Sequence, residues 1–173
     1  MTDQTREQMT HEAFFAHVAQ HPDTRFDFMD GELVEVSPKP LHGYLQAQLI
    51  TLLSLWLREN PIGVVHTEVL HVLNGENFIP DVSVNASRAD DRSHFDAPPL
   101  LAVEIRSDTQ SRAAQRRKAR RYVVNGTPAV LLVLPNEAFE LFTPQTGDDP
   151  QRFASGQTVA GIPGFESLGF SRI

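Results

Sequence analysis

The spacing of apolar residues along the chain predicts three helices, over residues 9–20, 42–58 and 109–124. The middle segment has the clearest pattern, because its leucines and its single tryptophan recur at three- and four-residue steps. The pair Asn60-Pro61 predicts the end of this helix, since proline cannot continue the helical hydrogen bonds.

Short apolar runs between these helices predict the strands. The segment RFDFMDGELVEVSP predicts a hairpin, because Phe26 and Phe28 alternate ahead of the tight-turn signal Asp30-Gly31. Five more strands are expected, followed by a short one near the end of the chain, at residues 63–73, 78–85, 100–106, 129–134, 139–144 and 157–160.

This order of elements favours an α/β (α+β) fold in a single domain of residues 1–173, with a core at about 26–143 and a tail at 144–173 that packs on it. The third helix lies between the apolar strands 100–106 and 129–134. A right-handed crossover through that helix would make these two strands parallel. The second of them is almost entirely apolar, which is typical of a central strand covered on both faces.

Composition excludes several classes of function. The 173 residues are 40% hydrophobic and 21% charged, as in ordinary globular proteins, and they include no cysteine. Disulfides, zinc thiolate sites and thiol catalysis are therefore excluded. The polar N-terminus does not resemble a signal peptide, and no apolar run has the length of a membrane span, so we expect a cytoplasmic protein without a membrane partner. Walker, dinucleotide-binding, serine-hydrolase and H-E-x-x-H patterns are missing from the sequence.

The charge is distributed unevenly. Residues 112–121 hold six basic side chains and no acidic one, so the net charge of −7 leaves the rest of the chain at −13. Two interpretations remain open, a solvated helix face or a cationic surface for a polyanion. In the second interpretation, four arginines would contact the phosphates of a nucleic acid, namely Arg112, Arg116, Arg117 and Arg120.

Two acids stand within apolar strand sequence, where an unpaired charge is costly. Asp81 belongs to IPDVSV and Glu104 to LLAVEIR. If the two strands are neighbours, the carboxylates converge and repel, and a divalent cation would relieve the repulsion. Oxygen ligands without thiols suit Mg²⁺ or Mn²⁺. The alternative is that each acid lies at a strand end and pairs with an arginine.

Lys118 is the cation of the third helix most closely aligned with its small and aromatic residues. It shares a stripe with Ala114, Gln115 and Tyr122 at three- and four-residue steps, whereas Arg112 belongs to another stripe. A lysine that points inward beside two acids would orient a water or stabilise the charge of a phosphorane. The alternative is a lysine that extends past Tyr122 to solvent.

With these residues in view, the chain resembles the Uma2 family, a branch of the PD-(D/E)xK nuclease superfamily. Five motifs in order carry the resemblance: the hairpin segment, His42 at the start of the second helix, IPDVSV, LLAVEIRSDTQSRAAQRRKARRYVVNG and the terminal GIPGFESLGFSRI. The resemblance implies a restriction-endonuclease-like core, in which helices flank a mixed central sheet, with an N-terminal helix and hairpin. It also implies a metal-dependent endonuclease that acts on DNA.

The resemblance assigns roles residue by residue. Asp81, Glu104 and the carbonyl of Ile105 would hold Mg²⁺ or Mn²⁺, and Lys118 would complete the catalytic set. Arg106 stands where the superfamily usually has a lysine, so Lys118 is the expected replacement. Accessory positions near the site would be Glu32, His42, Arg106 and Gln110.

Three features depart from the family pattern. Asp27 replaces a glutamate, Asp108 and Gln110 stand where the family has proline and aspartate, and the third helix is unusually rich in arginine. A catalytically silent module that keeps the nuclease fold is therefore an alternative. A sugar-cleaving enzyme with paired acids is a weaker one, because one tryptophan and two tyrosines offer little for sugar stacking. We expect a homodimer, since nucleases that cut both strands often dimerise.

Overall fold

The structure is a computed structural model, and it describes residues 9–22, 24–29, 32–36, 39–87, 93–107, 110–135 and 138–171. All three predicted helices are present, as α1 His11–Gln20, α2 Pro40–Glu59 and α3 Arg112–Val124. Ten strands are described: β1 Arg25–Met29, β2 Glu32–Val36, β3 Val64–His66, β4 His71–Leu73, β5 Glu76–Phe78, β6 Val82–Asn85, β7 Leu101–Ile105, β8 Val130–Leu134, β9 Ala138–Phe142 and β10 Gln151–Ala154.

The strands form two sheets. A four-stranded sheet has the order β2-β1-β5-β4, and a six-stranded sheet has the order β10-β9-β8-β7-β6-β3. In the larger sheet β7 and β8 are parallel, as the predicted crossover through α3 requires, and the other neighbours are antiparallel. The predicted mixed sheet flanked by helices is therefore confirmed. The predicted hairpin of β1 and β2 is also present, although its turn at Asp30-Gly31 lies outside the described residues.

Two of the predicted strands were wrong in extent. Residues 63–73 are divided between β3 and β4, which belong to different sheets, because Glu68 has a left-handed φ of 57° that interrupts the extended chain. Residues 78–85 are likewise divided between β5 and β6. Pro80 lies in this break, where a residue without an N–H cannot take part in a strand ladder.

The end of the chain also differs from the prediction. The strand predicted at 139–144 is β9, but β10 follows it and was missed, because Phe153 is its one buried residue and an edge strand with three exposed residues has little apolar pattern. The strand predicted at 157–160 is wrong, since that segment has only an isolated bridge between Val159 and Phe170.

Each face of the six-stranded sheet packs against different elements. One face meets the buried leucines of α2 and apolar residues of the tail, namely Val159, Ile162, Phe165, Leu168 and Phe170. The other face meets Ala119 and Tyr122 of α3, with Leu73 and Phe78 from the smaller sheet. Glu104 lies on β7 between these layers. In the part of the chain that is described, the helices are too short or too polar to span a bilayer.

Candidate active site

Asp81 lies immediately before β6 and is buried, with 4% of its surface exposed. Its Oδ2 accepts the backbone N–H of Ile105 at 2.7 Å, and its Oδ1 lies 3.0 Å from Nε2 of His42. The prediction that placed Asp81 inside a strand was wrong, because the strand begins one residue later. Asp81 nevertheless lies beside the end of the neighbouring strand β7, which carries Glu104.

Two residues on one side of α2 hold Asp81. His42, predicted as an accessory residue, is the third residue of the helix and is buried. One turn later Gln46 donates to the backbone oxygen of Asp81 at 2.8 Å and to Oε1 of Glu68 at 3.1 Å. Gln46 was not predicted from the sequence, although its four-residue spacing from His42 places both on the same helical face.

Glu104 is the second buried acid, and α3 supplies donors to both of its oxygens. In the register of β6 and β7, Val82 lies opposite Val103, which places Asp81 opposite Glu104 one position further along. Lys118 Nζ donates to Oε2 of Glu104 at 2.9 Å. The hydroxyl of Tyr122 donates to Oε1 at the same distance, a contact that was not predicted from the sequence.

Lys118 therefore points to the sheet and not to solvent. It is buried, with 6% of its surface exposed, and its Nζ also lies 3.5 Å from the backbone oxygen of Ile79. The interpretation of Lys118 as an inward-facing residue is confirmed by this geometry. The alternative, a lysine that extends past Tyr122 into solvent, is wrong.

The donors at this site fit a hydrated Mg²⁺ ion. Such an ion is commonly held by one or two carboxylates and keeps several waters, and Asp81 and Glu104 supply two carboxylates. The N–H of Ile105 points to Asp81, and in a strand the C=O of a residue points the same way as its N–H. Within the described ranges no group of three or more His, Cys, Asp and Glu side chains is placed to hold a metal, so the donors do not suit a closed structural zinc site.

The other predicted accessory residues lie on β2, directly after β7 and just ahead of α3. Glu32 on β2 is half exposed and lies 3.4 Å from Nη2 of Arg117. Arg106 directly follows β7, is partly buried, and donates its backbone N–H to the oxygen of Val133 at 2.9 Å. Gln110 is partly buried just ahead of α3. The side chain of Asp27 and the whole of Asp108 lie outside the part of the chain that the structure describes.

The arginines of α3 are paired with acids of the same chain. Arg112 and Arg116 both donate to Glu140 of β9, which is fully buried, and Arg116 does so at 2.7 Å and 2.6 Å. Arg117 meets Glu32, as described above. All three arginines are therefore paired within the protein, while 32–50% of each side chain stays exposed.

The two remaining arginines of α3 are paired in the same way. Arg120 contacts the exposed Asp148 at 2.9 Å, and Arg121 donates to Glu76 at 2.6 Å. Together with Lys118 and Glu104, these pairs give every one of the six cations an acidic partner. The positive charge of α3 is therefore largely compensated within the protein.

A second set of buried polar residues, His71 of β4 and Asn85 of β6, lies away from the two acids. His71 of β4 is fully buried, with Nδ1 3.0 Å from the oxygen of Val69 and Nε2 2.9 Å from Oδ1 of Asn85. Burial lowers the pKa of His71 and outweighs both contacts, which raise it. A neutral imidazole donates through one ring nitrogen and accepts through the other. If Nδ1 donates to the oxygen of Val69, Nε2 must accept, so the Asn85 amide must turn its NH₂ group towards Nε2 for both contacts to be hydrogen bonds. The group links the two sheets.

The fold recurs in a solved structure. The crystal structure of "a putative nuclease belonging to DUF820" from Anabaena variabilis ATCC 29413 matches with a TM-score of 0.75 and 20% sequence identity, covering 84% of this chain and 86% of that one. The DrdV-DNA complex, solved by cryo-electron microscopy, matches with a TM-score of 0.43 and 18% identity, covering 65% of this chain and 10% of that one. The second likeness is too low to carry an argument. The protein therefore has the mixed α/β fold of the first.

The family is defined by sequence. A family model named Uma2 and described as "Putative restriction endonuclease" matches residues 11–171. The chain belongs to the Uma2 family, as its motifs predicted. No curated protein gives a significant match.

Proposed function

We propose that this protein is a metal-dependent endonuclease that hydrolyses phosphodiester bonds in DNA with Mg²⁺ or Mn²⁺. The observation that carries the proposal is the contact of Lys118 with Glu104, which lies opposite Asp81. It supplies, from a helix, the lysine that is missing from the strand position of Arg106. Membership of a family described as "Putative restriction endonuclease" supports the same reaction.

In this proposal the two acids and the carbonyl of Ile105 hold the cation. When bound there, the cation would polarise a phosphate oxygen and lower the pKa of a coordinated water. His42 fixes one oxygen of Asp81, and the N–H of Ile105 fixes the other. Lys118 places an ammonium group beside Glu104, where it would offset negative charge that develops on the attacked phosphate.

The paired arginines of α3 differ in how readily they can contact DNA phosphates. Contacts by Arg112 and Arg116 would compete with their bonds to the buried Glu140. Arg117 and Arg120 are in exposed pairs, which contribute little to stability and can exchange a carboxylate for a phosphate. We therefore assign the phosphate contacts of α3 first to Arg117 and Arg120, together with Arg106 beside the site.

Cleavage of a supercoiled plasmid in the presence of Mg²⁺ tests the proposal. Glu104→Gln and Lys118→Met should each lower the rate by at least about a hundredfold, because each removes a charged group from the site. Glu59→Gln is the matched control, since the same chemical change falls on the exposed end of α2 and should leave the rate unchanged. Wild-type cleavage by a folded Glu104→Gln protein would refute the proposal.

The second candidate is a binding or assembly module that keeps the fold without catalysis. The compensated charge of α3 and the arginine at position 106 favour it. Calorimetric titration with Mn²⁺ separates the two candidates, because only the nuclease requires a cation at Asp81 and Glu104. A folded protein that binds no Mn²⁺ at millimolar concentration would support the silent module.

Two further expectations stay predictions. A homodimer would let the protein cut both strands of DNA, and light scattering during size-exclusion chromatography would detect it as twice the mass of the 173-residue chain. A cytoplasmic location is the other.

A further inference from the structure

Tyr122 is a fully buried tyrosine whose hydroxyl meets a proposed metal ligand. It lies on α3 one turn after Lys118 and donates to Oε1 of Glu104 at 2.9 Å. Its ring packs on Phe78 of the smaller sheet, with ring centroids 4.4 Å apart. The phenol is therefore anchored by packing at one end and directed to the acid at the other.

The two donors that α3 supplies to Glu104 differ in their effect on its charge. Lys118 brings a positive charge to Oε2, which offsets the negative charge of the acid. Tyr122 brings a neutral donor to Oε1, which fixes the carboxylate without neutralising it. A carboxylate has about four lone-pair sites, so the hydrogen bond from Tyr122 does not by itself prevent Oε1 from binding a cation.

We propose that Tyr122 is a positioning residue that holds Glu104 in the orientation that binds a divalent cation. The inference rests on the proposed function and adds a residue to it. Partners of this kind set the direction of a ligand, and their loss typically weakens metal binding by about 10- to 100-fold. A purely structural tyrosine, in contrast, would affect stability and leave the affinity for the cation unchanged.

The test uses the fact that the chain has two tyrosines. Tyr122→Phe keeps the ring and removes the hydroxyl. Tyr44→Phe makes the same change on α2, where 56% of the residue is exposed. Calorimetric titration with Mn²⁺ should give an affinity about 10- to 100-fold lower for Tyr122→Phe and unchanged for Tyr44→Phe.

Near-ultraviolet difference spectra supply a second readout in the folded wild type. Mg²⁺ bound at Glu104 should perturb the Tyr122 phenol and change its absorbance. The change should persist in Tyr44→Phe and vanish in Tyr122→Phe. If Tyr122→Phe does not fold, the spectra of the wild type and Tyr44→Phe still decide the matter, since no tyrosine signal on metal binding would overturn the inference.

The outcomes separate this inference from the proposed function. Wild-type affinity and an unchanged difference spectrum in Tyr122→Phe would overturn the role of Tyr122 alone. No binding of Mn²⁺ or Mg²⁺ by the folded wild type would overturn the proposed function, and the role of Tyr122 with it.

Discussion

Arg116→Met should destabilise the protein far more than the same change at the next residue. Arg116 makes two hydrogen bonds to Glu140, whose side chain is 0% exposed. Hydrogen bonds to charged groups contribute about 1.5–3 kcal/mol each, and removing one partner of a buried pair costs about 3–5 kcal/mol. Because Arg112 still binds Glu140 in the variant, we expect a loss of about 2–4 kcal/mol.

Arg117→Met is the matched control on the same helix. Arg117 and Glu32 are 50% and 51% exposed and 3.4 Å apart, so their pair should contribute less than about 1 kcal/mol. Urea unfolding of both variants measures the difference. Equal losses, or a loss below about 0.5 kcal/mol for Arg116→Met, would refute the view that Arg116 stabilises the fold through the buried Glu140.

The pH dependence of stability tests the same pair from the side of the acid. Burial raises the pKa of Glu140, but the hydrogen bonds and charges of Arg116 and Arg112 outweigh burial and hold the pKa below its ordinary value of 4.5. The stabilisation is therefore fully present above about pH 4.5 and is lost as the pH falls through the lower folded pKa. Arg116→Met should flatten this acid limb of the stability curve.

Gly63→Ala should lower the free energy of unfolding by about 1–3 kcal/mol, because a Cβ there would lie 2.6 Å from the backbone oxygen of Asn85. Gly43→Ala lies on α2, where a Cβ would meet nothing within 4 Å, and should raise the free energy of unfolding by about 0.5–1 kcal/mol. Urea unfolding measures both changes, and equal changes in the two variants would contradict both expectations. The stabilisation from neutral His71 should be fully present above about pH 6.5 and lost as the pH falls through its lowered pKa. Nitrogen NMR of the ring checks this, and a ring that takes up its proton at or above pH 6.5 would refute it.

Features decided by one strong periodic pattern could be predicted from the sequence. The crossover from β7 through α3 to β8 followed from two apolar strands and the helix between them. Lys118 was selected from its stripe on that helix, and the structure turns it to Glu104. In both cases the residues that decide the geometry are close in the sequence.

Features decided by contacts between distant segments could not be predicted from the sequence. The break between β5 and β6 depends on which sheet each half joins, which no local pattern shows. Glu140 stands inside an apolar strand, and Arg112 and Arg116 share one face of α3, yet their pairing follows only from the packing of α3 on β9. The sequence signal for this pairing was a glutamate inside an apolar strand together with two arginines one turn apart on a helix.

The rate of Mg²⁺-dependent plasmid cleavage by Asp81→Asn tests the central claim most directly. The substitution keeps the shape of a side chain that is buried beside His42 and Ile105, and it removes the charge that would hold the cation. Asp96→Asn is the control, because that side chain is 72% exposed and lies outside the proposed site. We predict cleavage by the wild type and Asp96→Asn, and a loss of at least about a hundredfold in Asp81→Asn. Equal cleavage by all three folded proteins would contradict the claim.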